Sequence, residues 1–530
     1  MILWNPSVTR IQFQDKQKQD EINRILQHEL SFVCNKAERP NYDWSLENDD
    51  YWDGIARLVR ITPTEAIFPS GLIYRALAIL EANKLASKED IEIGWDENNL
   101  PRLTRTLTIP ALRSHQEPIP DIMIDYVRAG REASPRTGKT YEAYATIAKL
   151  GLRSLFIVSR REWLDQAYEK FCELAGSNSD MIGKYGGGKR NPSEITICMD
   201  ASLDKHLRNG SIEASKLVQR TGCVVFDEAD MTAGTSRAAI IDGACRNAPY
   251  RFGFSATLSS NRTDGASMLV EAITGPIVAT TSAEEALEEG YHAPGTALFI
   301  RLPRIIASFA GSYQSQYDSY LIHNPYRTLA TVYLAQWAIT KKRKPLIDRN
   351  WTIVILVSQI EQAREIARYI PSAHIAIGQT PTKERKEIMR KIKSGEIRCV
   401  ITTLYHRAVD IVDLDMCINA GGGDSEARFI QGKYRAKTIG EEDKHAYYID
   451  FLDQVSIGWV GDDISPLEKH ANHRMALTRK DKSWTVNVKD LHKLDGFMPF
   501  FRQAYPNGLP EVPMLDVDDP FVRKMGECTC

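Results

Sequence analysis

The 530-residue chain lacks any run of about 18 or more uncharged apolar residues, so nothing in it reads as a transmembrane helix. Its start, Met1-Ile2-Leu3-Trp4-Asn5-Pro6, has no basic segment followed by an apolar one, and no signal peptide is expected. There is little excess of either charge: 67 Lys and Arg against 69 Asp and Glu leave a formal net charge of −2. That disfavours a protein that coats nucleic acid over its whole surface. It leaves open a basic groove balanced by acidic surface elsewhere. The nine cysteines are scattered, and Cys198, Cys223 and Cys399 lie inside apolar runs. They read as reduced core residues of a cytoplasmic protein. Cys528 and Cys530 form a C-x-C with no partner pair at metal-site spacing and read as a tail. His470 and His473 also lack a second ligand pair and read as a helix surface.

A chain of this length exceeds one ordinary core, and its hydrophobic pattern changes along its length. Residues 1–105 read as a small α+β accessory domain. There Tyr51-Trp52-Asp53-Gly54 forms a turn before a strand at Ala56–Arg60, and Gly71–Asn83 forms a helix. Pro101 and Pro110 mark the break. In residues 106–282 the short β-rich runs Ser154–Ser159, Ile195–Met199 and Val224–Asp227 alternate with helical stretches at Tyr141–Leu150 and Arg161–Ala175. Runs this apolar and this short are strands covered on both faces by helices, which means a parallel sheet. The signature returns in residues 283–455 at Thr352–Val357, His374–Ile377, Cys399–Thr403 and Met416–Asn419. Two separate α/β sheets are expected, joined by a connector over 282–305. Residues 456–530 lose the alternation and read as a mainly helical extension, with a helix over 466–480 and a Pro-rich arm beyond Pro506. Basic clusters occur at Arg160-Arg161, at Lys184 with Lys189-Arg190, and at Lys341-Lys342-Arg343-Lys344; each reads first as a solvated face.

Two motifs carry chemistry. Val224-Val225-Phe226-Asp227-Glu228-Ala229-Asp230 delivers adjacent carboxylates to the end of a buried run. An ATPase needs one acid to hold Mg²⁺ and the next to orient a water. Upstream lies Ala133-Ser134-Pro135-Arg136-Thr137-Gly138-Lys139-Thr140, a phosphate loop whose first Gly is replaced by Ala133. In such a loop backbone N–H groups and a helix N-terminus cradle the phosphates. The lysine reaches the β- and γ-phosphates and the hydroxyl binds Mg²⁺.

The order of blocks around these motifs resembles superfamily 2 helicases and translocases over residues 110–452. Leu112–Gln116 resembles the glutamine motif, Ala133–Thr140 motif I, and Ile157–Arg161 with Gln166 motif Ia. Asp227–Asp230 resembles motif II and Phe254–Thr257 motif III. Asn261–Gly265 resembles the R-x-D-G segment of XPB relatives. Ile353–Ser358 resembles motif IV, Thr402-Thr403 with Val409-Asp410 motif V, and Gln431 with Arg435 motif VI. Gly186-Gly187-Gly188 and Tyr51–Leu58 narrow the likeness to the phage UvsW type of recombination helicase, with XPB and RecG as relatives.

The resemblance implies two tandem RecA-like domains, ATP and Mg²⁺ as cofactors, and DNA as partner. It implies catalysis by Lys139, Asp227, Glu228, Gln431 and Arg435. ATP binding falls to Gln116, Ser134, Pro135, Arg136, Thr137, Gly138, Lys139, Thr140 and Asp410, and Mg²⁺ to Thr140 and Asp227. The implied nucleic-acid contacts are Arg160, Arg161, Gly187, Gly188, Ser202, Ser358 and Thr403, all of them to backbone and so without sequence information. Ser255 and Thr257 would couple the two sites. The chain departs from the pattern at Ala408, where motif V has Gly. In motif VI the final Arg is Thr438, with Lys437 beside it; lysine is a poorer bidentate partner for phosphate.

The resulting expectation is a monomeric ATP-driven motor that unwinds or branch-migrates forked and junction DNA, with no membrane partner. Residues 1–105 either select the substrate or cap the first lobe. Two alternatives stay open: an RNA helicase or double-strand translocase of the same fold, and an ATP-dependent clamp with little strand separation.

Overall fold

The structure, a computed structural model, describes residues 1–33, 54–233, 245–259, 266–307, 312–341, 350–403, 414–423, 425–437, 444–457 and 463–506. The chain divides into two compact units, Met1–Ser282 and Ala283–Cys530.

The first unit is built on an eight-stranded sheet. Its spatial order is Lys189–Asn191, Ile182–Gly186, Ile195–Met199, Ser154–Val158, Cys223–Asp227, Tyr250–Ser255, Arg128–Ala133 and Ile277–Thr281. All neighbours run parallel except the edge pair Lys189–Asn191 with Ile182–Gly186. The residues of Ser154–Val158 are all buried, as a strand sandwiched between helices must be. The helices Lys139–Leu150 and Arg161–Ala175 follow the strands Arg128–Ala133 and Ser154–Val158, the first two of this sheet in chain order. Gly151, at φ 67°, ends the former in the left-handed conformation that glycine accepts without strain. Because the strands are parallel, the loops after Ala133, Val158, Asp227 and Ser255 all emerge along one edge of the sheet.

The N-terminal residues form a second, mixed sheet in the order Arg60–Ile61, Ala66–Pro69, Val8–Ile11, Ile2–Trp4 and Ile91–Ile93. The strand expected at Ala56–Arg60 divides in two. Ile55–Arg57 pairs with Ser31–Val33, and Arg60–Ile61 joins the larger sheet. The helix expected at Gly71–Asn83 forms as Ile73–Ala82 after a short 3₁₀ turn. This sheet is packed firmly against the RecA-like part of its own unit. Gly71 lies so close to the carbonyls of Glu271 and Ala272 that a β-carbon would collide with them. Arg75 pairs with Glu271 at 2.6 Å, and the buried Arg251 donates to the Ser7 hydroxyl at 2.9 Å. Leu269 and Ala272 belong to the N-terminal hydrophobic core. Trp52 and Asp53 lie outside the described residues.

The second unit holds a seven-stranded, all-parallel sheet. Its order is Ala373–Ala376, Cys399–Thr402, Ile353–Leu356, Met416–Asn419, Ala446–Leu452, Gly295–Arg301 and Trp484–Asp490. One expectation is corrected here. Residues 282–305 are not merely a connector, since Gly295–Arg301 pairs along its whole length with strands on both sides. Its Ala297, Phe299 and Ile300 are buried in the core. The C-terminal extension forms the helix Pro466–Lys480 as expected and also supplies the edge strand Trp484–Asp490. That strand alternates buried and open positions, the pattern of an edge with one face in solvent.

Two buried ion pairs lie inside this unit. Arg474, on the helix Pro466–Lys480, bonds both carboxylate oxygens of Asp450, at 2.9 and 3.0 Å. Arg327 pairs with Asp453 at 2.5 Å and also donates to the carbonyl of Ala420 at 2.7 Å. Trp484 is 4 % exposed and lies in the core beside Tyr434 and Tyr448. Trp484→Ala is expected to cost about 3–5 kcal/mol of stability, because nothing adjacent can fill the void. Chemical denaturation of both proteins measures it, and a loss below about 1 kcal/mol would show that the edge strand is not integral to the core.

Candidate nucleotide and nucleic-acid sites

The phosphate loop joins the strand Arg128–Ala133 to the helix Lys139–Leu150. Arg136 and Gly138 take positive φ, 69° and 96°, which turns the backbone sharply over four residues. Thr137 Oγ1 donates to the Ser134 carbonyl at 2.8 Å and keeps the loop closed. The Lys139 ammonium folds over the loop and donates to the carbonyls of Ala133 (2.9 Å) and Ser134 (3.4 Å). Phosphate oxygens would replace these acceptors. Thr140 follows in the first turn of the helix.

Gln116 is buried, and its amide is committed to the loop. Nε2 donates to the carbonyls of Thr137 (2.9 Å) and Gly138 (3.3 Å), and Oε1 accepts from the Arg113 N–H at 3.0 Å. In this geometry it braces the loop, and adenine contact would require its Nε2 donors to change partner. His115 Nε2 lies 3.3 Å from the same Thr137 carbonyl.

A brace that motif reading missed sits behind the loop. Arg131 and Glu142 are both completely buried and pair through two bonds, at 3.1 and 3.0 Å. Arg131 also donates to Thr281 Oγ1 at 2.6 Å, and the Thr281 carbonyl accepts from the Ser134 N–H at 3.0 Å. The strand before the loop, the helix after it and the last strand of the unit are thus locked together. Charged residues inside a strand that leads to the phosphate loop were the available signal, since a buried arginine demands a carboxylate.

Along the same edge, Asp227 ends its strand and Glu228 takes φ 51°, a conformation costly for a non-glycine residue. Ser255 donates to Asp230 Oδ1 at 2.7 Å, and its oxygen accepts from the Thr257 N–H at 3.2 Å. The third motif is therefore bonded to the second. Thr257 is buried. Asn261–Gly265 lie outside the described residues.

The residues expected to touch a phosphate backbone cluster further along the sheet. Arg160 immediately precedes the helix Arg161–Ala175 and stacks over Trp163, 4.9 Å from the ring. Gly187 lies against the Arg161 side chain, and Gly186 against Ser202. Gly187 and Gly188 have φ 59° and 85°. Arg161, the glycine turn and Ser202 are thus neighbours although far apart in sequence.

In the second unit, Ser358 and Thr403 follow adjacent parallel strands, tied by Val357 N–H to the Thr402 carbonyl at 2.9 Å. The Ser358 hydroxyl bonds inward to the Gly421 carbonyl at 2.9 Å, so a phosphate would have to displace that acceptor. Gln431 lies on the helix Glu426–Lys433, and Arg435 on the 3₁₀ turn Tyr434–Lys437, 8 % exposed. Asp410 and Ala408 lie outside the described residues. Lys437 does not stand in for an arginine in this structure. It is fully buried, donates to the Ser483 carbonyl at 2.6 Å and lies over Trp484. Lys433 is also buried and pairs with Asp481 at 2.7 Å, and Tyr434 bonds the same carboxylate. This clasp anchors the segment that carries Arg435.

Burial pushes the Lys437 ammonium down from 10.5 to about 7; Asp481 opposes the shift and Lys433 adds to it. The unfolded chain therefore binds the proton more tightly than the folded one between these values, so this group makes stability rise with pH through that window. Lys437→Met removes the titrating group. Thermal midpoints measured from pH 7 to pH 10 should climb more steeply in the wild type than in the variant. Parallel curves would place the Lys437 ammonium in solvent.

Two family profiles match the chain. Residues 136–260 match the res subunit of type III restriction enzymes, and residues 339–440 match the helicase conserved C-terminal domain. A putative DNA 3'-5' helicase Rad25 of Haloarcula marismortui is 24% identical over 308 residues, covering 57% of this chain and 46% of that protein. The DNA 3'-5' translocase XPB2 of Sulfurisphaera tokodaii is 23% identical over 356 residues, 59% of this chain and 75% of that one. The chain thus spans about half the length of the first of these relatives and three quarters of the second. Among solved structures, Mss116p bound to ssRNA and AMP-PNP shares the fold at a TM-score of 0.52, with 15% identity, 74% of this chain and 77% of that one. T4 UvsW is matched over 92% of this chain and 99% of its own at 15% identity and a TM-score of 0.37. The two profiles fall in the expected order, one on each parallel-sheet domain, and over these residues the chain is similar to superfamily 2 helicases.

Proposed function

We propose that this protein is an ATP-dependent DNA helicase or translocase that acts on forked or branched DNA. The observation that carries the reading is the sharing of one sheet edge by the Lys139 loop and the Asp227-Glu228 pair, with Ser255 bonded to Asp230. The names of the two relatives, a DNA 3'-5' helicase and a DNA 3'-5' translocase, support DNA as the substrate class.

In this reading Lys139 neutralises the transferring phosphate and Glu228 orients the attacking water. The donor pair for Mg²⁺, a Thr140 hydroxyl and an Asp227 carboxylate, consists of hard oxygen ligands. That set suits an ion that keeps most of its waters and is carried with the nucleotide. Gln431 and Arg435 supply the motif VI groups from the second unit, with Arg435 as the arginine finger of hydrolysis. Ser134, Pro135, Arg136, Thr137 and Gly138 line the phosphates, and Asp410 belongs to the same nucleotide site. Arg160, Arg161, Gly187, Gly188, Ser202, Ser358 and Thr403 follow the strand backbone. Ser255 and Thr257 relay between the two sites. The N-terminal domain takes part in substrate choice, and its shared core with the motor makes point variants a better probe than deletion.

Steady-state ATPase with and without single-stranded DNA, forks, junctions and RNA duplexes tests the reading. DNA should stimulate turnover, with branched DNA giving the highest rate and strand displacement; no stimulation by any nucleic acid would overturn it. Lys139→Ala and Glu228→Gln should each lower turnover by about 10²-fold or more, with ATP binding retained in Glu228→Gln. Near wild-type turnover in Glu228→Gln would remove its role. Arg435→Ala should lower DNA-stimulated turnover by about 10³-fold while ATP affinity changes little. Equal losses in both would make Arg435 a binding group only.

A further inference from the structure

The strand that feeds the phosphate loop carries two adjacent charges, Arg131 and Glu132, and only the first has been given a role so far. Side chains alternate along a strand, so the two leave on opposite faces. Arg131 reaches Glu142 on the helix Lys139–Leu150. Glu132 is the one half-buried residue of Arg128–Ala133. Its carboxylate accepts from both polar groups of Ser259. Oε2 takes the backbone N–H at 2.5 Å, and Oε1 takes the hydroxyl at 2.7 Å. Among the described residues Glu132 enters no ion pair, and its two oxygens are both committed to this one serine.

Ser259 closes the segment that leaves the strand Tyr250–Ser255. Three ties hold that segment. Ser255, in register with Glu132 on the neighbouring strand, bonds Asp230 of the acidic motif at 2.7 Å. Leu258 is buried and packs over Gly130, where an added β-carbon would lie 3.2 Å from its Cδ1. Ser259 is held by Glu132. Ser255 and Thr257, the hydroxyl residues given the relay role, therefore lie between a tie to the acidic motif and a tie to the strand of the phosphate loop. At its other end Glu132 adjoins Ala133, whose carbonyl accepts the Lys139 ammonium at 2.9 Å. The Glu132 carbonyl itself accepts from Arg131 at 3.1 Å, which fixes the backbone from which the carboxylate reaches.

Stability does not call for a carboxylate at this position. An apolar side chain would pack in the sheet at least as well as a half-buried acid that lacks a cation. What the carboxylate adds is a pair of charge-assisted bonds, and two bonds to one residue fix both distance and orientation. The clamp is also short in sequence terms: one residue separates the Glu132 side chain from the carbonyl that Lys139 occupies. A phosphate that draws Lys139 away from that carbonyl changes the backbone next to Glu132, and the clamp passes any shift to Ser259.

We propose that Glu132 is a positioning residue that ties the segment Ser255–Ser259 to the phosphate loop and thereby transmits nucleotide occupancy to the nucleic-acid site. It rests on the reading of the chain as a nucleic-acid motor and deepens it, by naming a connection through which the two sites communicate.

Communication between two sites is a ratio of affinities. It is measured here as the affinity of labelled oligo(dT) for the full chain, read by anisotropy with and without saturating AMP-PNP and Mg²⁺. In the wild type the two affinities should differ by about tenfold. Glu132→Ala should bring them to within about twofold of each other, with AMP-PNP affinity in the absence of DNA kept at the wild-type value. Glu132→Gln retains an acceptor for the Ser259 N–H and a donor for its hydroxyl, and should keep most of the ratio. Ser259→Ala removes one of the two bonds and should lower the ratio part of the way; added to Glu132→Ala it should change nothing more. A wild-type ratio in Glu132→Ala would overturn the inference, and a lowered thermal midpoint beside it would leave the clamp a stabilising contact only. Loss of AMP-PNP affinity with the ratio kept would also overturn it and make Glu132 a support of the phosphate loop alone. Additive effects of the two alanine variants would break the link to Ser259. Failure of the wild type to bind oligo(dT) in either state would instead remove the motor reading on which the inference stands.

Discussion

Both helicase domains depend on parallel strand pairing. Parallel neighbours cannot be joined by a tight turn, so each strand is followed by a crossover that begins at its C-terminal end. In the first unit that places the phosphate loop, the Arg160-Arg161 pair, the acidic motif and Ser255 along one edge. In the second it places Ser358, Thr403 and the Gly421 backbone along the corresponding edge of their own sheet. Chemistry then requires only short loops whose ends the sheet already holds.

Buried ion pairs turn this layout into a rigid one. Arg131 with Glu142, Arg327 with Asp453 and Arg474 with Asp450 are all removed from water. Such pairs contribute little net stability, since desolvation offsets most of the attraction, but losing one partner is severe. Burial raises the Asp450 carboxyl, yet Arg474 outweighs it and holds the group below the usual carboxylate range. What these pairs supply is register. Arg131 fixes the phosphate loop between a strand, a helix and Thr281, and Arg327 and Arg474 hold the backbone on either side of Gly421. The Lys433–Asp481 clasp plays the same part beneath Arg435.

Much of the architecture was legible because local signals were strong. The runs at Ile195–Met199 and Met416–Asn419 and the helices at Arg161–Ala175 and 466–480 have the limits that their periodicity implies. Gly295–Arg301 escaped because it opens with Gly and Thr after Pro294 and so resembles a linker. Trp484–Asp490 escaped because an edge strand is half polar. Lys437 looked like a displaced phosphate ligand in one dimension, and its ammonium faces the core. Gln116 was read as an ATP-binding residue, and its amide bonds the phosphate loop at Thr137 and Gly138.

The order of residues alone determined that two α/β domains follow one another, that a lysine loop precedes an acidic pair, and that a late arginine is available to answer them. These are properties of spacing and of period, which a chain carries before it folds. Tertiary structure decided which of those side chains face a neighbour and which face inward. It joined Thr281 to the phosphate loop 147 residues upstream at Ser134 and set Trp351 against Trp337 and Tyr447. Such pairings depend on sheet order and on which face each strand turns to the core, and neither is written in local sequence.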